Sequence, residues 1–210
     1  MSLTVSAKTS GGMEPIPGGT YLAVCNTLID LGDQYNEQYG KTQRKVLIGW
    51  ELPDETYEKD GETRCRQISS RYTASLDNRG KLKPDLESWR GRVFTQEELA
   101  GFDLKNIVGA NCMLNIIRDE YNGKTFSKVK AITPLPKGMP KAMLSAPATV
   151  IDLDTASLDD IDELPTWIAD IIKQSTTYKE MVDRDMLGEA APAETEIVEL
   201  PGDDEEGLPF

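Results

Sequence analysis

Asn111-Cys112-Met113-Leu114-Asn115-Ile116-Ile117-Arg118-Asp119-Glu120 and Lys124-Thr125-Phe126-Ser127-Lys128-Val129-Lys130-Ala131-Ile132, joined by Tyr121-Asn122-Gly123, decide the fold class of this chain. Both runs read as strands, and Asn-Gly accepts the positive φ angles of a tight two-residue turn, so together they predict a hairpin. Upstream, residues 20–31 are rich in β-formers, and residues 44–52 set Val46, Ile48, Trp50 and Leu52 on one face. Residues 63–76 make a third strand, with polar loops expected at 32–42 and 53–61. Helical patterns follow over 84–89 and 95–99, the second opened by a capping box of Thr95 and Glu98. Five strands with helices between the third and fourth is the order of an OB-fold, a small partly open barrel. The expected class is therefore mainly β: an OB-fold-like five-stranded barrel with short helices. Other small β-rich domains satisfy the same strand count.

Beyond this body the texture changes. Pro134, Pro136, Pro140 and Pro147 break any periodicity, so residues 1–133 are expected to be the β-domain and 134–163 a linker, Pro-rich and then acidic. Residues 164–185 predict one amphipathic helix, with Pro165 in its first turn and Leu164, Trp167, Ile168, Ile171, Ile172, Tyr178, Met181 and Val182 on one stripe. Such a helix packs back on the barrel or pairs with its copy in a homo-oligomer; both outrank a partner-binding role. Residues 186–210 are expected to be a disordered acidic tail, because from Glu189 onward there are eight acids, three prolines and no bases.

Composition removes several classes of function. The 210 residues include no histidine, which excludes Ser-His-Asp chemistry and every Cys/His zinc pattern. Cys25, Cys65 and Cys112 are too few and too scattered for a disulfide scaffold. No window approaches a membrane span, and Met1-Ser2-Leu3-Thr4 does not begin a secretory signal, so a cytoplasmic location without membrane attachment is expected. Gly40-Lys41-Thr42 and Gly123-Lys124-Thr125 end like phosphate loops, but Tyr35 and Arg118 stand where the first glycine belongs. Asp152, Asp154 and Glu163 have calcium-loop spacing, yet Ala156 and Ser157 replace a ligand and the turn glycine. The remaining acids, in a low-complexity context, read as solvated rather than metal-binding. No metal, no cofactor and no enzymatic activity are expected.

The net charge of −13 is unevenly divided. Residues 1–150 carry 20 Lys and Arg against 18 Asp and Glu, whereas residues 151–210 carry 3 against 18. Within the body, Arg64 to Arg92 holds eight cations against three acids, with Tyr72 and Trp89 interleaved. Along the last strand Lys124, Phe126, Lys128 and Lys130 share one face by period two. Cations that follow a phosphate chain, mixed with rings on which bases stack, are what single-strand binding requires. The candidate contacts are Arg64, Arg66, Arg71, Tyr72, Arg90, Arg92, Phe126, Lys128 and Lys130. A barrel surface with ordinary lysines is the plainer alternative, and Trp50 suits the core.

The final eight residues are Asp203-Asp204-Glu205-Glu206-Gly207-Leu208-Pro209-Phe210. A partner can grip them with a pocket for Phe210 and basic groups for the acids and the α-carboxylate. This tip resembles the C-terminus of bacterial single-stranded DNA-binding proteins, whose tails recruit replication, recombination and repair enzymes. Ile48-Gly49-Trp50-Glu51-Leu52-Pro53, Ser70-Arg71-Tyr72-Thr73 and Trp89-Arg90-Gly91-Arg92 are similar to segments of phage and prophage single-strand binders. The resemblance implies a sequence-tolerant single-stranded DNA-binding protein in the cytoplasm of a phage host. Its partners would be single-stranded DNA and, through Asp203, Asp204, Glu205, Glu206, Leu208, Pro209 and Phe210, replication and recombination proteins. The 164–185 helix departs from the bacterial pattern, so oligomeric state and DNA path do not carry over. The competing expectation is a protein adaptor or nucleic-acid-mimicking inhibitor that acts through the acidic C-terminal third.

Overall fold

The computed structural model describes residues 14–37 and 40–186. Strands β1 (Gly19–Asn36), β2 (Lys41–Lys59) and β3 (Glu62–Thr73) form an antiparallel meander. Helices α1 (Leu82–Arg90) and α2 (Gln96–Ala100) and a 3-10 turn at Leu104–Ile107 follow. Then come the hairpin strands β4 (Asn111–Tyr121) and β5 (Lys124–Pro134), and after them β6 (Thr149–Ile151), α3 (Leu158–Asp162), α4 (Thr166–Lys173) and α5 (Thr176–Met186). The fold is mainly β, with a six-stranded sheet in the order β3-β2-β1-β4-β5 and β6 added parallel to β1.

The five-strand expectation needs correcting, because the sheet has a sixth strand and is not closed. The end strands β3 and β5 lie beside each other, but no hydrogen-bonded register joins them among the described residues. The extra strand has a simple cause. β4 pairs with β1 only from Gly19 to Val24, which leaves that edge unpaired further on, and β6 takes it at Thr27–Ile29.

The strands also overrun two expected loops. β1 continues through Gly32, where a register shift between Asp30 and Gly32 and a φ of 71° absorb the glycine as a bulge. β2 continues past Pro53 because the register shift between Leu52 and Thr56 leaves that proline out of the ladder. The turn falls at Asp60-Gly61, both at positive φ. Asn122 (φ 51°) and Gly123 (φ 71°) make the expected turn between β4 and β5, and the Thr95–Glu98 capping box forms in both directions.

Two cores lie on opposite faces of the sheet. The inner one gathers Ile48, Trp50 and Leu52 of β2, Leu114 and Ile116 of β4, and Leu82, Leu86 and Trp89 of α1. Each such side chain contributes roughly 1.5–3 kcal/mol by leaving water. Trp50 and Trp89 meet at 5.9 Å, and Trp89 Nε1 donates to the Asn111 carbonyl at 3.0 Å. The outer core gathers Ile29, Leu31 and Leu47 under Leu153, Ile161, Ile168, Ile172 and Met181.

The C-terminal elements therefore pack back on the sheet, as two helices where one was expected over 164–185. Ser175, fully buried, breaks the run: its hydroxyl accepts from Tyr178 N at 3.0 Å and so starts α5. The stretch 134–163 is tied down rather than loose. Asn111 exchanges two side-chain hydrogen bonds with the Ala142 backbone, and Glu51 accepts from Ser145 N at 3.0 Å and Ser145 Oγ at 2.7 Å. Residues 187–210, which include nearly all of the expected tail and its whole tip, lie outside the described residues. Among the described residues no helix is long and apolar enough to cross a membrane.

Candidate nucleic-acid interface

Strand alternation divides the candidates on β3. Tyr72 opposes Val46, and Ile68 opposes Trp50, so the line Arg64-Arg66-Ile68-Ser70-Tyr72 belongs to the inner side. The line Gln67-Ser69-Arg71 belongs to the outer side, where Arg71 stands opposite Leu47 of the outer core. Arg64 pairs with Glu62 at 2.8 Å and is about half exposed. Arg66 donates from Nη2 to the Glu14 carbonyl, and its buried Nε has no partner among the described residues. Arg71 is exposed and makes no ion pair among the described residues.

Three expected contacts are structural or neutralised. Tyr72 is only 3% exposed, which corrects its assignment as a stacking platform: a base cannot reach the ring. Its hydroxyl donates to Asp85 Oδ2 at 2.8 Å, and burial, followed by the charge of Asp85, pushes the phenol well above its ordinary value. Arg90 is corrected likewise. Its guanidinium lies 4.4 Å from the Phe94 ring centre and 5.1 Å from that of Phe102, and it is paired with Glu98. Arg92 is more exposed but shares the same carboxylate at 2.9 Å. The Thr95 backbone N–H, assisted by both arginines against desolvation, holds the Glu98 carboxyl down at about 2. These groups join the end of α1 to α2.

The β4–β5 hairpin keeps its candidates at the surface. Phe126 is 40% exposed opposite Asp119, and Lys128 stands opposite Ile117; Val129, the next residue, is buried in the inner core, so alternation places both on the outer line. Lys128 pairs with Asp119 at 3.2 Å, a surface contact worth about 0–1 kcal/mol and readily exchanged for a phosphate. Lys130 falls in the bulge opposite the Asn115–Ile116 step, exposed and without an ion pair among the described residues. Tyr121, 71% exposed at the hairpin tip, was not among the expected contacts. Its position one residue before Asn-Gly was the available signal.

Some of the other charged groups hold elements of the fold together. Arg44 bridges Asp30 and Asp154, and Lys105 pairs with Asp152 at 3.1 Å, so both aspartates of the calcium-like spacing serve as ion-pair partners. Burial pushes the Cys25 thiol up to about 12 and raises Cys112 as well, so neither is a thiolate. Compared with known family models, curated proteins and solved structures, the chain matches none.

Proposed function

We propose that this chain is a sequence-tolerant single-stranded DNA-binding protein of OB type that acts by binding rather than catalysis. The observation that carries the reading is a set of exposed cations and rings on the two end strands: Arg71 on the outer line of β3, with Phe126, Lys128 and Lys130 on β5. Arg71 and Lys130 have no carboxylate partner among the described residues, and β3 and β5 run beside each other across the open seam. Phosphates neutralise such cations, and the rings of Phe126 and Tyr121 offer stacking surfaces that accept any base. The strand order β3-β2-β1-β4-β5 supports the OB assignment, a barrel that is itself only partly closed.

The setting is DNA replication, recombination or repair, as the resemblance of the acidic tip implies, in a phage or prophage, as the resemblance of the 48–53, 70–73 and 89–92 segments implies. Leu208, Pro209 and Phe210 would dock into partner enzymes. The Lys128→Ala/Lys130→Ala double variant tests the assigned face. It should weaken binding to all single strands alike; unchanged affinity would place the contact surface elsewhere.

A further inference from the structure

The outer face of the sheet carries a groove of about 250 Å³ where α4 overhangs it. Asn26, Gly49, Gln67 and Ser69 line the sheet side, and Pro165 and Trp167 form the helix lip. Gly49 stands opposite Thr27 on one side and Ser69 on the other, and a Cβ there would lie 2.8 Å from Thr27 Cβ. A glycine is thus required at this point, and it leaves the groove floor open. Trp167 is 52% exposed, while Ile168, Ala169 and Ile172 of the same helix fill the outer core. The helix is anchored without its indole.

Single exposed aromatics are common and by themselves imply nothing. Here the indole borders a groove whose largely apolar lining, with Ile29, Leu47 and Ile168, is interrupted by the Asn26 and Gln67 amides and the Ser69 hydroxyl, groups that both donate and accept. Asn26 is fixed in place, its Oδ1 accepting from Thr27 Oγ1 at 3.0 Å. Arg71 lies two residues beyond Ser69 on the same line of β3, roughly 7 Å along the strand, and has no ion-pair partner among the described residues. The volume falls below the roughly 300–1,000 Å³ of pockets that take drug-sized ligands, so it suits one planar ring system.

We infer that this groove is a nucleobase subsite. One base of a bound single strand stacks on Trp167, its edge meets Asn26, Gln67 and Ser69, and Arg71 takes an adjoining phosphate. The inference rests on the single-strand reading above and extends it to residues outside the basic stripe. Mixed donors and acceptors on the walls make the subsite tolerant of base identity.

Trp50 and Trp89 are buried, so an emission change on adding DNA reports Trp167. Titrating the protein with a thymidine homopolymer should quench its tryptophan emission. In parallel, anisotropy of a labelled strand should show Trp167→Ala binding roughly tenfold to a hundredfold more weakly, with Trp167→Phe recovering most of the loss. Ser69→Phe, which fills the groove but keeps the indole, should weaken binding similarly. If Trp167→Ala binds the strand as tightly as the parent, or the parent's emission is unchanged at saturation, the subsite is overturned while single-strand binding stands. A parent protein that binds no strand at low salt overturns the underlying reading itself.

Discussion

A Cβ atom on Gly32 would lie 2.6 Å from the hydroxyl oxygen of Ser175. Strand β1 and the junction of α4 and α5 thus meet where only a glycine fits, and Gly32 also holds a φ of 71°. Neighbouring hydrogen bonds seal the contact: Thr177 Oγ1 accepts from Asp33 N at 3.0 Å, and Gln34 donates to the Ile171 carbonyl at 2.9 Å. Gly32→Ala should therefore destabilise the protein by about 1–3 kcal/mol, read as a lower urea midpoint. A midpoint equal to the parent's would mean that the helices do not depend on this approach.

Acid should weaken the junction between α1 and α2. Glu98 has a folded-state value lowered to about 2 from 4.5, so its contribution to stability is complete above 4.5 and lost as pH falls towards 2. Glu98→Gln should consequently lower Tm most near neutral pH, and its difference from the parent should fade through that window. A difference independent of pH would show that the carboxylate charge is not what matters.

The candidate cations should separate into two kinds. Arg90→Ala should lower thermal stability, because it removes the partner of Glu98 and the cation beside Phe94 and Phe102, with little change in strand affinity per folded molecule. Arg71→Ala/Lys130→Ala should leave stability nearly unchanged and flatten the log–log salt dependence, each lost phosphate contact contributing about 0.7 to the slope. The reverse pattern would exchange their roles.

What the sequence disclosed was local chemistry. Asn122-Gly123 and the Thr95–Glu98 box are complete within a few residues, and both form as the residue types require. The overrun of Gly32 and Pro53 was not legible, because register shifts set against neighbouring strands absorb both residues. β6 depends on the edge of β1 that β4 leaves open, a relationship between residues more than a hundred positions apart. Tyr72 is different: counting by two from Ile68 already places it on the inner line, although Arg71 beside it is basic. Arg90 gave no such warning, since Phe94, Glu98 and Phe102 come together only through the packing of α2.

Charge in the C-terminal segment should modulate DNA binding. On the proposed reading, the eight acids from Glu189 onward, with no base among them, should compete with phosphates for the cations of the sheet, most strongly where screening is weak. Deleting residues 189–210 should raise single-strand affinity at low salt, with the gain shrinking as salt is added. Deleting Phe210 alone should leave affinity nearly unchanged and abolish capture of replication or recombination enzymes. A full deletion that lowers affinity would contradict the competition.

The central claim is preference for the unpaired strand through phosphate neutralisation and stacking. Anisotropy titrations of one labelled oligonucleotide, as a single strand and annealed to its complement, across a series of salt concentrations, test it most directly. The account predicts tighter binding to the single strand at every salt concentration, an affinity that falls linearly with log salt, and little change when the sequence is permuted. Equal affinity for strand and duplex, or binding to neither at low salt, would contradict it.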